Sequence, residues 1–140
     1  MAASRMSGAS RDPARMKRLL IMQKQMQDLA LGRLAQAQAR AAEQHHDQER
    51  LLSLLGRDGG VADMFPQLVL QRLQLARLKT QQADAEAYVQ EQALQQAAQR
   101  AKRTEIIAER ADLEAERDEA AREMQEVLER AVSRALVSAP

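Results

Sequence analysis

Between Pro66 and Pro140 the chain contains neither glycine nor proline, a stretch of over seventy residues. Those two residue types break helices most strongly, so nothing in the covalent chain interrupts a helix there. At 1.5 Å per residue such a helix would run roughly 105 Å, several times the globular average. The breakers that do occur are gathered upstream. LLGRDGGVADMFP, residues 54 to 66, holds three of the five glycines, the only phenylalanine and one of the three prolines.

What surrounds that cluster is mostly Ala, Leu, Gln, Glu and Arg, the residues that lose least on entering a helix. Aromatics make up 1% of the chain, too few to fill a compact core, while 45% hydrophobic residues is high for a chain that cannot collapse. The expected fold is therefore all-α: a long antiparallel two-helix coiled-coil hairpin with a projecting C-terminal helix.

Local signals set the boundaries. Residues 1–12 read as a flexible basic tail; the start MAASRMSGASRDPARMKR, Ser- and Arg-rich and poor in acids, also loosely resembles an organelle transit peptide. Asp12 is suited to cap free amides, and Pro13 suits a first helical position, so helix one is expected over 13–56. Gly56 is placed to end it through a left-handed residue. Residues 57–65 form the expected turn, and helix two runs over 66–137. If the chain reverses at Gly59-Gly60, residues whose numbers add to about 121 should face one another. Met16 then lands near Glu105, and 108–137 projects beyond helix one by some 45 Å.

The apolar pattern predicts which faces meet. Along helix one, Leu19, Met22, Met26, Ala30, Leu34, Ala37, Ala41, Gln44, Gln48, Leu51 and Leu55 step by three and four. Consecutive four-residue steps around Ala30 look like a stutter, and Gly32 should weaken the helix nearby. On helix two, Ala85, Val89, Ala93, Ala97 and Ala101 make a narrow small-residue stripe. Ala121, Met124, Leu128, Ala131 and Ala135 form a late apolar stripe with nothing in the chain to cover it. Pairs such as Glu126 with Arg130 should support the projecting helix.

Charge excludes several function classes. Six Lys or Arg within residues 1 to 24 face one acid, whereas residues 105 to 140 carry ten acids against five arginines. A net charge of +1 gives no general attraction to nucleic acid or anionic lipid, so neither is an expected partner. The longest apolar run, Leu19 to Met22, is far too short to span a bilayer. Zero cysteines exclude disulfides and thiol catalysis.

Catalytic chemistry is nearly absent from the pattern. His45 and His46 are neighbours about 100° apart on a helix and cannot share a metal as an i, i+4 pair does, so the expected metal content and cofactor content are both none. His45 and Glu49 have i, i+4 spacing suited only to a weak adventitious ion. The glycines of GRDGG lack a following Lys-Ser/Thr and read as a turn. No catalytic residue is assigned, and the chain is expected not to be an enzyme.

The order of elements resembles the FliJ family of flagellar type III export proteins and the related injectisome stalk proteins. The residues that carry this are PARMKRLLIMQKQMQDLALGRLAQAQA near the start and AQRAKRTEIIAERADLEAERDEAAREMQEVLERA near the end. With the connecting helix they cover roughly residues 13 to 135. The resemblance implies a bacterial cytoplasmic stalk at the flagellar base that inserts into the hexameric export ATPase. It further implies coupling to the cytoplasmic domain of the membrane export gate, help in escorting export chaperones, and membrane association only through partners. Carried onto this sequence, the ATPase interface would be Arg15, Lys17, Arg18, Arg110, Arg117, Arg122 and Arg130. The gate and chaperone interface would draw on Phe65, Leu70, Leu73 and Tyr88. The arginines also read as solvated partners of neighbouring acids, and the leucines as packing of the hairpin root. The competing reading of the whole chain is a generic coiled-coil scaffold or adaptor that dimerises through helix two.

Overall fold

A computed structural model describes residues 12–57 and 59–138, with the side chain of Val61 left out. The tail expected over 1–12 lies outside the described residues except for Asp12. The fold is all-α, with α1 over Pro13–Leu55, a single turn α2 over Val61–Met64 and α3 over Pro66–Ser138. α1 and α3 pair antiparallel as a long helical hairpin, and α3 continues past the pairing as a single C-terminal helix. Two compact units divide the chain, one made of residues 1–23 and 100–140, the other of residues 24–99.

The ends of the helices follow from their residues. Asp12 caps α1: its carboxylate accepts from the Ala14 amide at 3.3 Å, and its main-chain carbonyl accepts from Met16 at 2.9 Å. Pro13 occupies the first helical position, where a missing amide costs nothing. At the far end Gly56 is not the left-handed residue expected. Among the described residues only Gly59 has positive φ, at 74°, and α1 instead closes with a tight bond from the Arg57 amide to the Leu54 carbonyl at 3.5 Å. Gly59 is pinned there because its amide donates to Oδ2 of Asp63 at 2.8 Å. Phe65 then starts α3, its carbonyl accepting from the Val69 amide at 3.1 Å.

The extra turn α2 displaces the pairing register. A simple reversal at Gly59-Gly60 would set Met16 against Glu105, but Met16 is buried with Ala108 and Ala111, one to two helical turns further on. In the other unit His45 reaches Asp84, and Thr80 comes within 3.5 Å of the Gln44 carbonyl. With Val61–Met64 helical, the reversal is centred downstream of the glycine pair.

Burial also corrects the expected stripes. On α1 the seam runs through Met16, Leu20, Gln23, Gln27, Ala30, Leu34, Ala37, Ala41, Gln44, Gln48 and Leu51, an unbroken alternation of fours and threes, with Leu19 half-buried beside Met16 as expected. The stutter is absent, and Met22 and Met26 are about half exposed at 50% and 51%. On α3 the seam runs in the same alternation from Val69 through Leu73, Ala76 and Thr80 to Thr104, Ala108 and Ala111, leaving Ala85, Val89 and Ala93 outside it. A two-stranded seam repeats every seven residues because the helices supercoil, so steps of four alone drift away from the partner. α1 runs through Gly32 without interruption.

Small side chains dominate this seam, and among the described residues no large side chain is fully buried. Thr80 and Thr104, buried within it, are both hydrogen-bonded. The Thr80 hydroxyl donates to the Ala76 carbonyl at 2.9 Å, and the Thr104 hydroxyl donates to Oε1 of Gln23 across the seam.

Candidate interaction surfaces

In the unit formed by the two chain ends, pairing stops at a definable point. Ala111 is buried, Asp112 is half-buried and stands 4.0 Å from Lys17, and every residue from 113 to 138 is exposed. α1 begins at Pro13, so past Ala111 α3 has no partner helix among the described residues, and its continued seam positions Ala115, Asp118, Arg122, Gln125 and Glu129 are mostly polar. The apolar residues have moved round the helix. Ala121, Met124, Leu128, Ala131 and Ala135 each fall one residue before a seam position, about 100° away. Met124, Val127, Leu128 and Val132 are 58% to 63% exposed, a continuous uncovered face.

All seven cations assigned to an ATPase interface belong to this unit and all are exposed. Lys17 faces Asp112, and Arg130 lies 3.9 Å from Glu126 one turn away. Arg15, Arg18, Arg110, Arg117 and Arg122 make no ion pair with a described residue. Exposed pairs at these distances are worth little, about 0 to 1 kcal/mol, so the cations remain available to an outside partner.

The residues assigned to a gate or chaperone contact belong to the other unit. Phe65, Leu70 and Tyr88 are 57%, 55% and 63% exposed, but Leu73 is buried in the α1–α3 seam and offers no surface. Its neighbours Leu68 and Leu75 are exposed instead.

One surface of this unit has no counterpart in the sequence reading. A shallow groove between α1 and α3 is lined by Leu51, Leu54, Leu75 and Ala76 together with the cations Arg50, Arg72 and Lys79 and a single acid, Asp47. Gln44 and Lys79 also line the next depression, which continues along the same side past Arg40 and Ala37 to Glu86. Locating it from sequence requires the register, and the register depends on α2.

His45 is also more engaged than its sequence context suggested. Its Nε2 lies 2.9 Å and 3.0 Å from the two carboxylate oxygens of Asp84, which ties α1 to α3. Among the described residues no group of three His, Cys, Asp or Glu side chains is placed to hold a metal. No helix among them is long and apolar enough to cross a membrane. No family model, curated protein or solved structure matches the chain.

Proposed function

We propose that this chain is a non-enzymatic coiled-coil stalk of a bacterial flagellar or type III protein export apparatus. It works in the cytoplasm, engages the export ATPase hexamer through its paired chain ends, and presents its turn end to the export gate and chaperones. The observation that supports this reading most is the composition of the terminal unit. The exposed helix 113–138 and seven exposed cations share one compact body there, and the large exposed side chains Phe65, Leu70 and Tyr88 lie in the other. A stalk needs an uncovered helix with available charge to enter a pore and a separate exposed apolar patch for a second partner.

The reading is tested by adding the purified chain to a bacterial flagellar export ATPase and following ATP hydrolysis. Stimulation is expected from the full chain, and its loss is expected both in a chain ending at Asp112 and in Arg117→Glu with Arg122→Glu. An ATPase rate unchanged by any concentration of the full chain, with no co-elution on size exclusion, would sink it.

A further inference from the structure

The groove at the turn end and the uncovered C-terminal helix have complementary properties. We infer that residues 113–138 of one copy dock, apolar face down, into the α1–α3 groove of a second copy. The inference does not depend on the stalk function.

Three observations favour this occupant. The first is charge. Arg40, Arg50, Arg72 and Lys79 line the groove with only Asp47 and Glu86 against them, and none of those four cations makes an ion pair with a described residue. Residues 113–138 carry seven carboxylates against four arginines. The second is chemistry of the faces: Leu51, Leu54, Leu75 and Ala76 line the groove, two of them exposed, and Met124, Val127, Leu128 and Ala131 form the apolar face of the helix. The third is length. From Ala37 to Leu54 the groove follows α1 for about 26 Å at 1.5 Å per residue, and the apolar face from Ala121 to Leu136 spans about 23 Å. Every described position of the tail is exposed.

Docking of this kind is heterologous: the two surfaces differ, and each copy carries one of each. That property supplies a complementation test. One full-length variant reverses the groove cations, with Arg50→Glu, Arg72→Glu and Lys79→Glu. The other removes the apolar face of the tail, with Met124→Glu and Leu128→Glu. All five positions are exposed, so both variants keep the hairpin, and circular dichroism verifies this. Mass is then measured by light scattering over a range reaching about 1 mM, where even a weak interface is populated.

The unaltered chain is expected to rise above its monomer mass of 15.7 kDa with concentration. Each variant alone is expected to stay monomeric. Mixed, they should form a species of one copy each, because the groove of the tail variant and the tail of the groove variant are both intact. A wild-type chain that stays monomeric throughout would overturn the inference. So would a groove variant that still self-associates, which would mean tail-to-tail pairing, or a mixture that yields only monomers.

Discussion

Nε2 of His45 on α1 sits 2.9 Å from Oδ1 of Asp84 on α3 and 3.0 Å from Oδ2, so one imidazole bridges the hairpin to both oxygens of one carboxylate. Both side chains are 52% exposed, and water competes for every one of these bonds. A double-mutant cycle with His45→Ala and Asp84→Ala should therefore give a coupling of only ~0.2 to 1 kcal/mol in chemical denaturation. The pair reports the register that the turn sets and adds little stability of its own. A coupling of several kcal/mol would mean that solvent is excluded from the site.

The bond from Thr104 to Gln23 lies deeper and carries a different expectation. Thr104 is buried and Gln23 half-buried, so Thr104→Val leaves an amide oxygen without its donor and should cost ~1 to 3 kcal/mol. Thr104→Ser should recover most of that loss. Combining Thr104→Val with Gln23→Leu removes donor and acceptor together and should be close to neutral. Urea midpoints for the four chains check this, and a double variant as unstable as Thr104→Val would show that the hydroxyl acts through packing.

Gln23 also marks the limit of what could be read from the chain. The element types, the Asp12-Pro13 start, the turn region and the antiparallel pairing followed from breakers, caps and composition, which act locally. The seam itself did not, because attention to apolar residues selects Met22 and Met26, whereas the heptad phase set by Ala30, Leu34, Ala37 and Ala41 selects Gln23 and Gln27. In a seam built from alanine the inward positions differ little in hydrophobicity from the outward ones. The pattern must be extended from its clearest part, here Ala30 to Ala41. Register was illegible for another reason: α2 is four residues long, and no helix signal rises above noise at that length. Every cross-hairpin partner, including Asp84 for His45 and the lining of the groove, depends on that single turn.

Two glycines give opposite expectations. Gly32 lies inside α1, and a methyl group added there would meet nothing within 4 Å, so Gly32→Ala should stabilise the hairpin by ~0.5 to 1 kcal/mol. Gly59 also has open space, but its φ of 74° is left-handed, and Gly59→Ala should destabilise by ~1 to 2 kcal/mol. Thermal unfolding of the two variants beside the parent chain should move in opposite directions. If Gly59→Ala raises the melting temperature, the turn does not hold this conformation in solution.

The C-terminal helix should be the least protected long segment of the chain. Isolated helices are marginal in water because most helical stability in proteins comes from packing a face, and residues 113–138 bury no face against the described residues. What supports them is local: Glu126 with Arg130 at 3.9 Å and Gln125 with Glu129 at 3.4 Å, pairs worth roughly 0.2 to 0.5 kcal/mol each. Amide hydrogen exchange in dilute solution should therefore be orders of magnitude faster over 113–138 than over 101–111, where Ala101, Thr104, Ala108 and Ala111 are buried. The concentration dependence adds a second reading of the same experiment. If the tail docks on another copy, its exchange slows as protein concentration rises, and amides lining the groove near Leu51 and Leu75 slow with it. Tail protection equal to that of the seam at every dilution would contradict an uncovered C-terminal helix.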